Sequence, residues 1–363
     1  MPNPFKMVLL LLLLLGSQCS FAQDNKEKAY QAGMKAIKLE DDGKYEEALA
    51  LLFEAEKLDS ENAIYPYEVG YAYYAQKEYP KAMDVYKKLI AGKSATDQCF
   101  QMLGNIYDLT GDSAGAMRSY NEGLKMFPKS GKLFLEKGNV YWNSKEYNRA
   151  LPFYEQGIKA DPAFPSNYYR ATRIYCASSE QVFGMVYGEI FMNLERNSKR
   201  TVEISKMLYN TYVSQITIRK SKGEGEVRFS KNNMIVIRDS NDIKNPKLPF
   251  GVGAYEITLL MSITGEKAID LSSLDRIRRT FTETYFKNGI DKKYPNVLFD
   301  YQQRVLEAGH MEAYNHWILM QGDLEGFNKW QSKNKEQWAQ FVKWFEDNKM
   351  ALDDEHKFCS DQY

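Results

Sequence analysis

The segment G-D-S-A-G-A-M-R-S-Y, from Gly111 to Tyr120, is followed 34 residues later by K-E-Y-N-R-A-L-P-F-Y, from Lys145 to Tyr154. In both segments an alanine stands sixth and a tyrosine stands tenth. The period of 34 continues without gaps through five segments, which begin at Ala29, Ala63, Asp97, Gly131 and Pro165. Such a period predicts that one structural unit recurs along this part of the chain.

Small residues and large residues recur at fixed places of the repeat. The eighth place holds Ala36, Gly70, Gly104 and Gly138; the twentieth holds Ala48, Ala82, Ala116 and Ala150; the twenty-fourth holds Leu52, Tyr86, Tyr120 and Tyr154. Small residues let two helices approach closely, and we expect the aromatic residues to fill the space between one helix pair and the next. The fifth segment departs from this pattern, with Thr172 at the eighth place and Gly188 at the twenty-fourth.

Helix-breaking residues fall where such a unit would turn. Gly43 and Gly111 lie between the two apolar stretches of a segment, and Pro128 and Pro162 follow the second stretch. Proline cannot continue a helix, so each unit is predicted to be a helix, a turn and a second helix.

These residues resemble the tetratricopeptide repeat, a 34-residue helical hairpin. The resemblance covers residues 29 to about 188, and its motifs are the central turn and second helix seen in Gly111–Tyr120 and Lys145–Tyr154. It implies an all-α fold, an α-solenoid of helix-turn-helix repeats over residues 29–196. Five copies in phase make the resemblance specific.

The resemblance also implies a binding surface. In the family, ligands lie along a concave surface formed by the first helix of each repeat, at its second, fifth, ninth, twelfth and thirteenth places. Those places include Tyr67, Tyr71, Tyr74, Asn105, Asp108, Asn139, Trp142, Tyr169 and Arg173. The tyrosines are spaced by four and three residues and therefore share one helix face, where aromatic side chains make good anchors for a partner. The alternative is that some of these aromatic residues pack only between neighbouring helices.

One known ligand type of the family is disfavoured. Some relatives hold a C-terminal carboxylate with a clamp of lysine, asparagine and arginine side chains. Asn105 and Arg170 match that clamp, whereas Gln101, Glu136 and Ser166 occupy its other places. Because Glu136 would repel a carboxylate, we do not expect this chain to bind such tails.

The N-terminus has the pattern of a signal peptide. Lys6 precedes an apolar run from Met7 to Leu15, and a small-residue site ends at Ala22. The run is much shorter than the roughly 20 residues that a membrane-spanning helix needs. We therefore expect residues 1–22 to be removed and the protein to be exported, either periplasmic or secreted, with no transmembrane segment after cleavage.

Lipid attachment at Cys19 is the alternative for this segment, and it is disfavoured because Gln18 stands where a small residue is needed. The chain has 48 basic and 48 acidic residues, and cleavage would remove one basic residue and no acidic one. The neutral balance gives no dense basic surface, so nucleic acid is not expected as a partner.

A second part, residues 197–363, follows the repeats and is predicted to be mostly helical. Apolar residues at helical spacing after Asn197 and Ser198 predict a helix to Tyr212 that caps the last repeat. Two β-prone runs, Glu226–Ser230 and Met234–Arg238, predict either a small hairpin or an irregular loop. Later helices are expected over 253–264, 272–288, 297–309, 311–321, 324–333 and 335–349.

No catalytic, metal or cofactor motif stands out in the sequence. His310 and His316 lack the HExxH spacing of a zinc site, and there is no nucleophile elbow or phosphate-binding loop. Cys99, Cys176 and Cys359 are expected to be unpaired. The basic run Asp275 to Arg279 is interpreted as a solvated helix face.

The sequence therefore predicts a non-enzymatic scaffold of the cell envelope that binds a protein or an extended peptide, without a cofactor or metal. Two alternatives stay open. The aromatic residues could stack on sugars of a carbohydrate or cell wall, and residues 197–363 could form an unrecognised enzyme, which a pocket with converging polar groups would support.

Overall fold

The computed structural model describes residues 4–92, 94–219, 224–231 and 248–363. The chain divides into two compact units, Met1–Pro128 and Lys129–Tyr363. The described residues of both units are mostly α-helical, which confirms the all-α fold class. The boundary that the sequence places between residues 196 and 197 marks the end of the repeats and stays a prediction. Across the described ranges, none of the helices has both the length and the apolar character that crossing a bilayer requires.

The first unit consists of three helical hairpins, as the repeats beginning at Ala29, Ala63 and Asp97 predict. The helices are α1 (Pro4–Asp41), α2 (Tyr45–Leu58), α3 (Ile64–Ala75), α4 (Tyr79–Ala91), α5 (Asp97–Leu109) and α6 (Ser113–Met126). The N-terminal helix extends upstream of the first repeat and includes most of the predicted signal segment.

The second unit begins with the fourth and fifth hairpins and a further helix. These are α7 (Gly131–Asn143), α8 (Tyr147–Ala160), α9 (Pro165–Cys176), α10 (Gln181–Leu194) and α11 (Lys199–Gln215). The last of them begins with a capping box between Ser198 and Thr201, as the N-cap pattern predicts.

The rest of the second unit is helical apart from two strands. A π-helical turn at Gly251–Glu256 leads into the helix Ile257–Ser262. Longer helices follow close to their predicted positions, and one short helix was not predicted. They are Leu271–Lys287, Ile290–Lys293, Val297–Glu307, Met311–Leu319, Leu324–Lys333 and Lys335–Asp347.

One pair of strands is present among the described residues. Strand β1 (Ile216–Arg219), which the sequence analysis did not predict, pairs antiparallel with β2 (Glu224–Val227), which overlaps the first β-prone run. Ile216 lies opposite Val227, and the buried Ile216 joins the core of the second unit. The other run proposed as a strand, Met234–Arg238, lies outside the described residues.

The turns of the first four hairpins share one backbone conformation. At the fifteenth place of the repeat, Gly43 and Gly111 have φ angles of +74° and +87°, and Lys77 and Lys145 have φ angles of +63° and +62°. Glycine adopts this left-handed conformation at little cost, whereas lysine is strained in it. The geometry of the hairpin therefore imposes the turn even where the sequence provides no glycine.

The small and aromatic places of a repeat contact each other within one hairpin. A Cβ atom added to Gly104 would lie 2.2 Å from Cε1 of Tyr120, and one added to Gly138 would lie 2.3 Å from Cε1 of Tyr154. The aromatic residue at the twenty-fourth place thus fills the space between the two helices of its own repeat. Here the structure corrects the expectation that it packs between successive pairs.

In the fifth hairpin the small residue and the larger residue have changed places, with Thr172 at the eighth place and Gly188 at the twenty-fourth. A Cβ atom added to Gly188 would lie 3.0 Å from Cγ2 of Thr172 and 2.9 Å from Cδ2 of Leu208. The larger residue now stands on the first helix of the hairpin and the glycine on the second. The space that a side chain at Gly188 would occupy is filled by the buried side chains of Leu208 and Ile204 from α11.

Residues 350–363 return to the second helices of the repeats in the second unit. Phe358 is fully buried against Phe183 and Tyr187 of α10, and the Ser360 backbone N–H donates to the Tyr187 hydroxyl at 2.9 Å. The Lys357 ammonium donates to the Lys159 carbonyl oxygen of α8 at 3.0 Å. In this unit the tail therefore packs mainly on α8 and α10, the second helices of their hairpins, and Ser360 also bonds the Tyr175 side chain of α9.

Candidate functional site

The three candidate tyrosines of α3, Tyr67, Tyr71 and Tyr74, lie on one face of that helix and are called here the tyrosine cluster. The rings of Tyr71 and Tyr74 lie 6.4 Å apart, and the ring edge of Tyr67 meets Tyr86 at 5.6 Å. Burial raises the pKa of Tyr67 to about 12. Tyr71 keeps 39% of its surface exposed, so its ring is the most accessible of the three. Spacing alone predicts that these residues share a face, and the structure confirms it.

Two carboxylates lie beside the tyrosine cluster. Glu40 lies in the last turn of α1, and Glu68 lies on α3 between Tyr67 and Tyr71. Burial, the Glu68 charge and the Asp41 charge together raise the pKa of Glu40 to about 7. Burial also raises the pKa of Glu68. Glu40 occupies the twelfth place of its repeat, so the same rule that selected Tyr74 could have found it.

The other two candidates of the first unit are engaged within the chain. The Tyr120 hydroxyl donates to Oδ1 of Asn105 at 2.7 Å, and the Ser113 hydroxyl donates to Oδ1 of Asp108 at 3.2 Å. Asn105 therefore orients the tyrosine that covers Gly104. These contacts give both residues a structural role whether or not they also touch a ligand.

In the second unit, Trp142 is surrounded by arginine side chains. The guanidinium carbons of Arg170 and Arg173 each lie 4.7 Å from the centre of the Trp142 ring, within the range of a cation–π contact. The ring edge of Tyr147 approaches from the same helical hairpin at 4.9 Å. Arg173 is also paired with Glu203 of α11, at 3.1 Å. We call Trp142, Arg170 and Arg173 the tryptophan–arginine cluster.

Tyr169 and Asn139 are held by neighbouring side chains. Tyr169 is only 9% exposed, and its hydroxyl donates to Oε2 of Glu203 at 2.7 Å. Because the capping helix covers it, Tyr169 supports the surface and offers little of itself to a ligand. Asn139 accepts from the Tyr154 hydroxyl at 3.2 Å and donates to Glu136 at 2.9 Å, which repeats the role of Asn105.

The nine candidates thus form two local sets. Tyr67, Tyr71, Tyr74, Asn105 and Asp108 belong to the first unit, and Asn139, Trp142, Tyr169 and Arg173 to the second. In each unit an aromatic residue with accessible surface is accompanied by charged side chains, acidic in the first and basic in the second.

We expect the stability of the chain to depend on the ionisation of Glu40. Its pKa is raised in the folded state, so the stabilisation is complete below pH 4.5 and is lost as the pH rises towards 7. Glu40→Gln should therefore stabilise the first unit at pH 8, by about 1 kcal/mol once partial hydration of the carboxylate is allowed for, and should have little effect at pH 4.5.

Hydrogen-exchange mass spectrometry of peptides from α1 to α6 measures this difference in the full chain. Glu47→Gln, at an exposed position of α2, controls for the loss of one acidic charge. Equal stabilisation by Glu40→Gln at pH 4.5 and pH 8 would contradict the prediction.

Polar groups converge inside the second unit, away from the tryptophan–arginine cluster. Arg278 donates from Nη2 and Nη1 to the Glu189 carboxylate at 2.6 and 2.8 Å, and both side chains are 4% exposed. This corrects the interpretation of the basic run as a solvated face: Arg278 points into the core, whereas Arg276 is exposed and paired with Glu266. Gln302 and Tyr314 also donate to Glu189.

The cavity beside this ion pair is too small for a substrate. It is lined by Glu189, Tyr212, Tyr255, Arg278 and Gln302 together with apolar side chains, and it has room for roughly one water molecule. The polar groups are directed at one another. Among the described residues, no group of three or more histidine, cysteine or acidic side chains could hold a metal ion, and Cys99, Cys176 and Cys359 are free thiols.

Family models of the tetratricopeptide repeat match residues 34–97, 97–130 and 131–164. The matched residues contain the second to fourth hairpins and most of the first. The fifth hairpin lies outside them, which agrees with its exchanged small and large residues. No curated protein matches the chain in sequence.

Several solved structures are similar over about half of the chain. PilF of Pseudomonas aeruginosa is 17% identical, with a TM-score of 0.42, over 52% of this chain and 86% of PilF. A tetratricopeptide protein of Thermus thermophilus is 16% identical, with a TM-score of 0.40, over 50% of this chain and 98% of that protein. YrrB, a tetratricopeptide protein with an unusual peptide-binding site, is 20% identical, with a TM-score of 0.32, over 51% of this chain and 95% of YrrB. Likenesses this low indicate nothing about function.

Proposed function

We propose that this protein is a scaffold that binds a protein or an extended peptide without catalysing a reaction. Support comes from the match of residues 34–164 to the tetratricopeptide repeat and from the helical region that follows them. The binding surfaces are the first helices of the repeats. The observation that carries the proposal is the exposed ring of Tyr71 in the tyrosine cluster, at a place of the repeat that the family uses for ligands.

The chemistry of both clusters suits a peptide. A tyrosine ring buries a large area on binding at a small entropic cost and keeps a polar hydroxyl, which is why such residues are frequent at interface hot spots. Trp142 adds a second aromatic anchor, and the neighbouring arginines can donate hydrogen bonds to main-chain carbonyl groups. Both clusters can be contacted by an extended peptide, and neither needs a ligand that fits into a closed pocket.

A sugar-binding function has less support. Carbohydrates stack on open faces of aromatic rings, and Arg170 and Arg173 already lie over the Trp142 ring. Catalysis by residues 197–363 gains no support from the cavity beside Glu189 and Arg278, which has room for roughly one water molecule.

The proposed place of action is the cell envelope. Support comes from the N-terminal sequence alone, in which the apolar run from Met7 to Leu15 and the small-residue site at Ala22 are typical of an exported protein. The protein is then periplasmic or secreted, and the lipid anchor at Cys19 is the weaker alternative.

We expect alanine at Tyr71 or at Trp142 to weaken partner binding by about tenfold or more, because each change removes an aromatic anchor. The partner is first captured by crosslinking in intact cell envelopes, and its affinity for each variant is then measured with purified full-length protein. Phe53→Ala is the matched control, since Phe53 is 41% exposed on the second helix of its hairpin. Wild-type affinity in both test variants, with unchanged circular dichroism, would contradict the proposed binding surface.

A further inference from the structure

We propose that the partner places a lysine or arginine side chain between Glu40, Glu68 and the Tyr71 ring. This inference rests on the proposed function and adds to it the chemistry of the partner: a basic residue within an extended peptide. Its basis is a buried carboxylate that has no counterion among the residues that the structure describes.

Glu40 carries the first part of the argument. Its side chain is 6% exposed, and among the described residues its Oε1 atom has no hydrogen-bond partner. Removing a carboxylate from water without a compensating donor is costly, so buried acids normally have a cation or several N–H groups beside them. A ligand that brings a donor would satisfy this atom.

The surrounding charges are the second part. After burial itself, the groups that raise the pKa of Glu40 are Glu68 and Asp41, both acidic. The ion pairs found among the described residues include neither Glu40 nor Glu68, although Lys81 pairs with Glu78 on the same hairpin. Two neighbouring carboxylates without a cation produce a local negative potential, which an incoming ammonium or guanidinium group would neutralise.

The Tyr71 ring is the third part. Burial raises the pKa of Tyr71, and the nearby charges of Tyr45, Glu40 and Glu68 raise it further, which places this tyrosine in the same acidic neighbourhood. Tyr71 is also the large exposed apolar side chain of the tyrosine cluster. A basic side chain bound there can form a cation–π contact with the ring and an ion pair with the carboxylates at once.

A peptide cation fits this site better than a metal ion. No cluster of three or more metal-ligating side chains exists in the described parts of the chain, and an aromatic ring is not a ligand for hard cations. The long apolar stem of lysine or arginine can instead lie along Tyr71 and Tyr74 while its charged end reaches the acids.

The test uses the full-length protein and fluorescent 12-residue peptides that share one host sequence of alanine, leucine and serine. The central residue is arginine, lysine, citrulline or glutamate. Citrulline has the shape of arginine without its charge. At pH 8 and low salt we expect the arginine and lysine peptides to bind at least about tenfold more tightly than the citrulline peptide, and the glutamate peptide to bind most weakly.

The double variant Glu40→Gln, Glu68→Gln should bind the arginine and citrulline peptides equally, and Glu47→Gln should keep the preference for arginine. Equal binding of both peptides by the wild-type protein would overturn this inference and leave the proposed function standing. Failure of every peptide to bind would count against both.

Discussion

Replacing Arg278 by alanine is expected to lower the free energy of unfolding of the second unit by about 3–5 kcal/mol. The change leaves the Glu189 carboxylate 4% exposed and without its cation. It also removes the donor at Nε that bonds Oδ1 of Asn315 at 2.8 Å. Breaking a buried pair from one side costs far more than the pair contributes, because the remaining charge stays desolvated.

The charge state of the pair supports this size of effect. Burial by itself would lower the pKa of Arg278, but Glu189 and Tyr212 outweigh it and the pKa stays well above its ordinary value. The guanidinium is therefore charged when folded, and its attraction to Glu189 compensates for the loss of water around both groups.

Tryptophan fluorescence measures this effect selectively. All five tryptophans, Trp142, Trp317, Trp330, Trp338 and Trp344, belong to the second unit. Urea unfolding followed at tryptophan wavelengths thus reports on that unit within the full-length chain.

Two variants control the Arg278 experiment. Arg276→Ala removes an arginine of the same helix that is 56% exposed and paired with Glu266 outside the core, so its effect should stay well below that of Arg278→Ala. Arg278→Met combined with Glu189→Leu removes both charges and should recover much of the lost stability. If Arg278→Ala lowered the free energy of unfolding by less than about 1 kcal/mol, the prediction that the second unit depends on this buried ion pair would be wrong.

The repeats could be predicted from the sequence because their information is local and repeated. The eighth and twenty-fourth places of one hairpin are 16 residues apart, and the structure brings them into contact, as Gly138 and Tyr154 show. Each copy supports the same interpretation, so an irregular one such as the fifth does not disturb it. The helices from Leu271 to Asp347 were predicted almost as well, since their apolar spacing is also local.

The Glu189–Arg278 pair could not be predicted in this way. The two residues are 89 positions apart, on helices that have no shared period. Locally, Arg278 belongs to a basic run that a solvated helix face explains well, and only the packing of Leu271–Lys287 shows which of the arginines is turned inward. Sequence periodicity carries no information about which residues far apart in the chain form a pair.

The candidate site was predicted in part for a similar reason. Periodicity predicts that Tyr67, Tyr71 and Tyr74 share one helix face, and all three lie on α3, with the rings of Tyr71 and Tyr74 in contact and Tyr67 against Tyr86. Periodicity does not indicate that Tyr169 is covered by Glu203 of α11, or that Asn105 accepts a hydrogen bond from Tyr120. The unpaired state of Glu40 was equally hidden, because it depends on which side chains of other helices fail to reach it.

Adding one methyl group at Gly104 should destabilise the first unit by about 2 kcal/mol. In Gly104→Ala the new Cβ would meet the Tyr120 ring at 2.2 Å, and that ring is 1% exposed and held through its hydroxyl by Asn105. Such overpacking costs about 1–3 kcal/mol or more, and the better helix propensity of alanine offsets only about 1 kcal/mol of it.

The first repeat provides the compensating change. It has Ala36 at the eighth place and Leu52 at the twenty-fourth, and both are fully buried in one cluster. Transferring this pair as Gly104→Ala with Tyr120→Leu should therefore restore more than half of the stability that Gly104→Ala alone removes. Hydrogen exchange of peptides from α5 and α6 in the full-length chain measures both variants. If the double variant were less stable than Gly104→Ala, the glycine would not be there to make room for the tyrosine, and the size rule that relates the repeats would be wrong.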